Sequence, residues 1–446
     1  MAYSWERLTP EEKEALLEGI ESGTPLLPPR VVEISWQDRC NIDCFFCSTA
    51  EVRAGGFEIS RERLLTLFDE MRGLGVRAAR LTGGGEPLFR RDAAELIGEL
   101  GKRGIRVADV TTNAVLLTEP VVRALYAAGC DEIHVSLNTA DADSYAAMMQ
   151  TSPRNFDRVL ENVRRAARIK REMRSECRLK LQFLIYADNF RQIPAMRRVF
   201  EESEADTFWF NGLFPVRPMP AMSDADVDEM LQLYEELLAE DGAGPRRDPF
   251  DRFTGFSFWE RDIAERIADS TRRALRRAPL PRRIGAAAGR IRKGVAARRL
   301  ARLHEFCLIG WYATSINANG DVVPCCILQD RKTAVLGNIR RSTLEEIWEG
   351  AEYARFRREL RAIMGNRGGE VPAGACVVED VCVKKELCPN RSFYWADDAP
   401  FRRRFHRLVE GLTPSSSPLE LRPVPAAAAM LPTYQGNNRA GTPGSR

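Results

Sequence analysis

Between residues 31 and 212 the chain alternates two kinds of apolar pattern. Short runs rich in β-branched and large apolar residues read as strands: "VVEISW" (31–36), "RAARLTGG" (77–84), "RVADVTTN" (106–113), "EIHVSLN" (132–138), "LKLQFLIY" (179–186) and "TFWFNG" (207–212). Between them lie stretches of helical period such as "SRERLLTLFDEMRGLG" and "RDAAELIGELGKRG", the latter ending in a glycine as a C-cap would. Near-continuous apolar strands alternating with helices predict parallel βαβ units covered on both faces of the sheet. The fold class expected is α/β: a partial, TIM-like (β/α)6 barrel whose reactive groups gather at the carboxyl ends of the strands.

The pattern changes outside this stretch. Residues 1–30 read as an N-terminal helix ending in the breaker "SGTPLLPPR", and the barrel occupies 31–215. Residues 216–304 read as a helical, basic insertion that begins with the acidic, Ser/Asp-capped helix "SDADVDEMLQLYEELLAED". Residues 305–398 read as a compact cysteine-bearing module, and 399–446 as a C-terminal segment whose Pro-, Ser-, Gly- and Ala-rich end is a disordered tail.

Composition changes this picture only in detail. With 446 residues, 44% hydrophobic and 29% charged, the chain suits two or three globular units. The net charge of +3 says little about partners, and no apolar run of about 18 residues predicts a membrane span. The opening "MAYSWERLTPEEKEALLEGI" lacks the basic and apolar regions of a secretory signal. A cytoplasmic location is expected, where clustered cysteines serve as metal or cluster ligands rather than disulfides.

Three of the eleven cysteines fall within "DRCNIDCFFCSTA" (38–50), directly after the first strand. Cys40, Cys44 and Cys47 have the spacing C-x3-C-x2-C. Iron–sulfur clusters are held by four thiolates. Three thiolates on one loop hold three irons of a 4Fe–4S cubane and leave the fourth open to a small chelating molecule. The alternative is a zinc knuckle lacking its fourth ligand; the nearest histidine, His134, is far away in sequence.

This run resembles the signature of the radical SAM superfamily. The resemblance implies that the open iron binds S-adenosylmethionine, and that reduction splits the sulfonium to give a 5′-deoxyadenosyl radical that abstracts hydrogen from a substrate C–H bond. Further residues match the superfamily pattern. "LTGGGEPLF" follows the second strand as the family's GGE motif does. Gly84 and Gly85 would let backbone approach the ligand, Glu86 would face the methionine ammonium, and Pro87 would fix the turn. Phe46 stands where relatives pack an apolar side chain on adenine. Thr112, Asn113, Ser136 and Asn138 end the third and fourth strands, where polar side chains suit ribose and carboxylate, or cap turns. Gln182, mid-strand, is expected to point into the barrel.

"CLIGWYATSINANGDVVPCC" (307–326) supplies a second motif, C-x12-G-x4-C, through Cys307, Gly320 and Cys325. It resembles the SPASM domain or its shorter twitch form, whose members carry auxiliary 4Fe–4S clusters. Downstream the full pattern is missing, and only Cys376, Cys382 and Cys388 follow. Two fully thiolate-ligated cubanes need four cysteines each, and the module has six. One auxiliary cluster on Cys307, Cys325, Cys376 and Cys382 is the reading adopted, with Cys388 a rival ligand. Cys326 is spare, so that Cys326 or Cys388 is a candidate hydrogen donor. Two clusters with one open or non-cysteine position is the alternative. Cys130 and Cys177 read as small core residues.

An auxiliary cluster admits oxidation (dehydrogenation) of the substrate, or epimerisation aided by a thiol. The 39 residues before Cys40 are too few for a leader-peptide-binding module of the kind that peptide-modifying relatives carry. The expected substrate is therefore a small, sugar- or aminocyclitol-like or carrier-linked molecule, with a ribosomal-peptide maturase as the alternative. An iron–sulfur electron-transfer or scaffold protein is the alternative of another class. A flavodoxin or ferredoxin is the expected reductant. The segment from Arg272 to Arg302 holds twelve Arg/Lys and no acid. It suits weak contact with an anionic membrane or a solvated helical insertion; no nucleic-acid partner is expected.

Overall fold

The computed structural model describes residues 8–213, 222–240, 253–257, 266–267, 309–328 and 334–365. Seven strands run parallel, each paired with the next: β1 (Val31–Ile34), β2 (Ala78–Leu81), β3 (Arg106–Thr112), β4 (Glu132–Ser136), β5 (Arg178–Ile185), β6 (Thr207–Gly212) and β7 (Phe253–Ser257). Three more continue the same sheet beyond β1. β8 (Ala313–Ile316) pairs parallel with β1, and β9 (Asp321–Val323) and β10 (Gly337–Asn338) follow antiparallel. The order is β10-β9-β8-β1-β2-β3-β4-β5-β6-β7. The two edges do not pair with one another among the described residues, so the sheet is a partial barrel.

Helices follow the strands as the pattern predicts. Those used below are α1 (Pro10–Ser22), α2 (Ala50–Arg53), α3 (Arg61–Leu74), α4 (Ala93–Lys102), α5 (Glu119–Ala127), α6 (Ala142–Met149), α7 (Arg154–Met173), α8 (Ile193–Glu202), α9 (Asp224–Glu240), α10 (Ile309–Tyr312), α11 (Leu344–Glu349) and α12 (Ala351–Gly365). Their starts are chemically marked. Thr9 and Glu12 form a reciprocal capping box on α1, Ser60 caps α3, and Ser223 with Asp226 opens the acidic α9. Leu64, Leu67, Phe68 and Met71 form the buried stripe of α3, and Leu96, Ile97 and Leu100 that of α4.

The strands differ from the sequence reading in one respect. They are not apolar on both faces but alternate. On β5, Leu179, Leu181, Phe183 and Ile185 are fully buried, while Lys180 and Gln182 occupy the intervening positions. β4 alternates Ile133 and Val135 with Glu132, His134 and Ser136, and β6 alternates Phe208 and Phe210 with Thr207, Trp209 and Asn211. Side chains of a strand point alternately to its two faces. One face therefore packs under helices and the other, the barrel interior, is polar. That suits a barrel that holds a ligand rather than a packed core.

Low in this interior a charged ladder crosses three adjacent strands. Arg80 on β2 donates from Nη1 to Glu33 Oε2 on β1 at 2.7 Å and from Nε to Asp109 Oδ2 on β3 at 2.6 Å. Ser315 on β8 donates to Glu33 Oε1 at 3.0 Å. All four residues are buried. Burial pushes the Asp109 carboxyl up, but the Arg80 guanidinium outweighs it and holds the group below its ordinary value.

The C-terminal strands are thus a continuation of the barrel wall. The turn between β8 and β9 needs Gly320: its φ is +90°, and its N–H reaches the Asn317 carbonyl at 2.8 Å. The module is seated on α3 through Arg63 Nε to the Ile339 carbonyl, 2.6 Å, and the Leu344 N–H to Glu70 Oε2, 3.0 Å.

Candidate functional site

The loop carrying Cys40, Cys44 and Cys47 leaves the carboxyl end of β1 and is tied down on two sides. Asp43 and Phe45 donate their N–H groups to the Met149 and Met148 carbonyls at the end of α6, 3.2 Å each. Thr49, whose Oγ1 lies 3.3 Å from Cys47 Sγ, donates to the Gly84 carbonyl at 2.9 Å, which fastens the loop to the turn after β2. The glycines of that turn answer first to this packing. A Cβ on Gly85 would lie 2.2 Å from the Arg39 carbonyl oxygen, and one on Gly84 2.8 Å from Asp38 Oδ1. The space they open is filled by the start of the cysteine loop. Sequence reasoning had assigned that space to a ligand.

A cavity of about 360 Å3 opens at this end of the barrel. Cys40, Cys44, Cys47 and Phe46 line one side. Gly85, Glu86, Thr112, Asn113, Ser136 and Asn138 line the rest, with Gln182 as expected. Gly84 and Pro87 do not line it. Gly84 N–H donates to Ser35 Oγ, and the Pro87 carbonyl accepts from Trp36 Nε1, so both hold the turn from behind.

Glu86 is buried, and each of its carboxylate oxygens is engaged. Oε1 accepts from Thr112 Oγ1 (2.7 Å) and the Leu88 N–H (3.0 Å), and Oε2 from the Asn113 N–H (2.8 Å). Burial pushes its pKa up to about 7 despite these donors. Asn138 has a left-handed backbone, φ +69°, uncommon without glycine. Its Oδ1 is buried with no hydrogen-bond partner. The residue borders the cavity, and a buried acceptor left unpaired calls for an explanation.

The three thiols fit an iron–sulfur group. Burial pushes Cys40 up and Cys44 up to about 12, and the neighbouring thiols add to the rise at Cys44. Such thiols give up their protons to a metal group that shares them. Among the described residues, no three His, Cys, Asp or Glu side chains converge on one point as a single metal ion requires. A cubane takes ligands that stand apart, because its irons sit at separate corners.

One layer below the cavity lie residues that sequence reasoning missed. His134 is the cross-strand partner of Thr111, which lines the cavity, and of Lys180. Lys180 Nζ stands 4.8 Å over the Trp209 ring and 3.7 Å from Glu132 Oε1. The signal was available: period-two alternation in "EIHVS", "RLKLQFL" and "TFWFN" separates an inward polar set from an outward apolar one.

Burial, and next the Lys180 cation, push the His134 imidazole down to about 4. In the unfolded chain it titrates near 6.5. The unfolded state therefore binds the extra proton between these values, and stability falls as the pH drops from about 6.5 to about 4, by roughly 3 kcal/mol. Urea unfolding across this window is expected to give a flatter pH slope for His134→Gln than for the parent; equal slopes would refute the assignment.

Comparison with known proteins agrees with this geometry. Residues 34–174 match the model of the radical SAM superfamily, and residues 307–368 that of SPASM, an iron–sulfur cluster-binding domain. The chain carries a radical SAM domain followed by a SPASM domain.

The chain is similar to the probable GTP 3′,8-cyclase of Saccharolobus solfataricus, 32% identical over 31% of this chain and 44% of that one. It is also similar to the GTP 3′,8-cyclase of Marinobacter nauticus, 29% identical over 48% of this chain and 66% of that one. The chain thus spans less than two thirds of these curated relatives. In fold it resembles Streptococcus suis SuiB, solved with the precursor peptide SuiA, with TM-score 0.52, 16% identity and coverage of 77% and 70% of the two chains. It also resembles anSMEcpe, solved with AdoMet and a peptide, with TM-score 0.50, 15% identity and coverage of 86% and 99%. At these identities the likeness is one of fold.

A radical SAM domain uses a 4Fe–4S cluster and S-adenosylmethionine, and a SPASM domain adds auxiliary iron–sulfur clusters. Of the cysteines expected to serve the SPASM domain, Cys307, Cys376, Cys382 and Cys388 lie outside the described residues, as does the basic segment 272–302. Cys325 and Cys326 follow β9 after Pro324. Cys326 does not line the mouth cavity. Its thiol, on a half-buried residue, lies beside the Glu33 carboxylate, and desolvation first, then that charge, push its pKa up. Cys130 and Cys177 are buried in the core. No helix among the described residues is long and apolar enough to cross a membrane.

Proposed function

We propose that this radical SAM enzyme abstracts hydrogen from a small, polar, hydroxylated molecule of the sugar or aminocyclitol kind, free or carrier-linked, and oxidises or epimerises it. The observation that carries this reading is the polar inward face of β1 to β6, which leads down from the mouth cavity. An apolar substrate would strand those groups without partners, at about 1–3 kcal/mol for each buried one.

Cys40, Cys44 and Cys47 would hold the cluster, with Cys325 among the ligands of an auxiliary one. When bound, the cluster and S-adenosylmethionine supply a hydrogen-abstracting radical. The chain's own part is to bind and orient. Glu86, fixed by Thr112 and the Asn113 and Leu88 amides, offers its carboxylate to the methionine ammonium. Phe46 offers an apolar surface to adenine, and Ser136 and Asn138 offer polar atoms to ribose and carboxylate. The cavity walls exclude bulk water from the reacting bond.

The test is anaerobic. The reconstituted full chain, given dithionite and S-adenosylmethionine, is expected to release 5′-deoxyadenosine, and to release it faster with a hydroxylated small molecule that loses two hydrogens or takes deuterium from solvent. Acceleration by GTP or a precursor peptide, and by no polyol or aminocyclitol, would overturn the substrate class while leaving the cofactor chemistry in place.

A further inference from the structure

The cysteine loop borders two hollows. One is the mouth cavity. The other, of about 400 Å3, is lined by Cys40, Asp43 and Arg53 together with Asp38, Arg39 and Phe89, so that Cys40 borders both. Arg53 closes α2, the short helix that follows Cys47, and its guanidinium turns back onto the loop. Nη2 donates to the carbonyl of Ile42, between Cys40 and Cys44, at 3.1 Å, and stands 3.4 Å from Asp43 Oδ1. The Cys47 thiol is within hydrogen-bonding reach of the same guanidinium. Burial draws the Arg53 pKa down, but that thiol first, then the charges of Cys40 and Cys47, outweigh it and hold the group above its ordinary value. One cation is thus held against the loop that carries all three thiols.

Its surroundings do not cancel it there. The Arg53 side chain is 17% exposed, whereas that of Asp43, its ion-pair partner, is 77% exposed. A carboxylate in water is screened more strongly than a cation sheltered by protein. The other charges of the second hollow are engaged: Arg39 pairs with Glu58, and Asp38 Oδ2 accepts from the Phe57 N–H at 3.1 Å. On the cavity side, the Glu86 carboxylate is taken up by Thr112 and by the Asn113 and Leu88 amides.

We propose that Arg53 raises the reduction potential of the cluster held by Cys40, Cys44 and Cys47, so that a one-electron donor of the flavodoxin or ferredoxin kind reduces a larger fraction of it. The proposal rests on the reading of those thiols as cluster ligands given above, and adds a device that governs electron entry. Reduction adds one negative charge to the group. The electron comes from the external donor, and no bond of the chain forms or breaks. A fixed cation beside the ligands favours the reduced form, and net charge and hydrogen bonds to the sulfurs are among the terms that set iron–sulfur potentials. Arg53 acts through the cysteine ligands: its part is to position a charge.

The test is an anaerobic redox titration of the reconstituted full chain, with dithionite as donor, read by electron paramagnetic resonance. The signal followed is the one absent from Cys44→Ala, which separates this cluster from any auxiliary one. Arg53→Gln removes the charge but keeps amide donors, and its iron and labile sulfide are expected to stay at the parent level. The ratio of reduced to oxidised cluster at a fixed potential is expected to fall about tenfold, which is about 59 mV for one electron. Arg53→Lys keeps the charge and is expected to stay within about threefold of the parent. Arg53→Met repeats the removal of charge and covers the case in which the glutamine variant fails to fold. An unchanged ratio in a neutral variant that keeps its cluster, or an equal fall in Arg53→Lys, would overturn the proposal. So would loss of the cluster from both neutral variants, which would make Arg53 a structural tie of the loop. Failure of the underlying reading is distinguishable, since the parent itself would then show no signal that depends on Cys44.

Discussion

Replacing Cys44 with alanine is expected to abolish release of 5′-deoxyadenosine and to lower iron and labile sulfide by one cluster, with Cys40→Ala and Cys47→Ala behaving alike. Removing an outer-shell partner of a metal ligand costs roughly 10–100-fold in affinity or activity, so loss of a ligand itself should exceed about 100-fold. The three positions are not interchangeable structurally. Cys44 is the most deeply desolvated, with its Sγ 3.7 Å from Met149 Sδ, whereas Cys47 lies beside Thr49 and Cys40 beside Asn113. Cys130→Ala is the control, because Cys130 is buried under β4 with its thiol on the Glu132 carbonyl and should alter stability but not cluster content. If Cys44→Ala kept full sulfide and full cleavage, the cluster would have to sit elsewhere.

The second large effect is one of stability. Arg80→Met is expected to destabilise the fold by about 3–5 kcal/mol at pH 7, the range for removing one partner of a buried ion pair. Methionine fills much of the volume but leaves Glu33 and Asp109 with no cation between them. The Asp109 carboxyl, no longer held down by the Arg80 guanidinium, then titrates higher, so the defect should shrink as the pH falls and that group protonates. The combined Glu33→Gln, Arg80→Met and Asp109→Asn variant should recover much of the loss, since replacing a whole buried charge cluster is often near neutral. Urea midpoints at pH 7 and 5 measure both. A loss below about 1 kcal/mol at neutral pH would show that water or another group compensates the carboxylates.

Much of this architecture was readable before any coordinates. Each of the six expected strands is present; the first five are shortened at the carboxyl end, as where "SW", "TGG" or "LN" turns into loop, and the sixth keeps its expected span, Thr207–Gly212. The cysteine loop, the turn at Glu86, and the strand-end residues Thr112, Asn113, Ser136 and Asn138 were legible because they sit at fixed offsets from apolar runs. Other features were not legible. The ladder from Glu33 to Asp109 pairs charges 29 and 47 residues apart, and a charge within a strand does not announce its partner. The glycines of "GGGEP" point to a close approach, but the sequence does not say to what; the structure answers with the backbone of Asp38 and Arg39. The C-terminal strands read as a separate module because nothing local shows that Ser315 lies in register with Glu33.

That last pairing has a consequence for how the molecule is made. β1 is completed on one side by β2, soon after it emerges, and on the other by β8, with Glu33 and Ser315 282 positions apart. Until the second neighbour has been synthesised, the strand that leads into the cysteine loop presents a bare row of amides and carbonyls to the cell. The nascent protein thus passes through a long interval with an adhesive margin beside its future metal site, an interval in which chaperone cover would protect the unfinished sheet and the unoccupied thiols together.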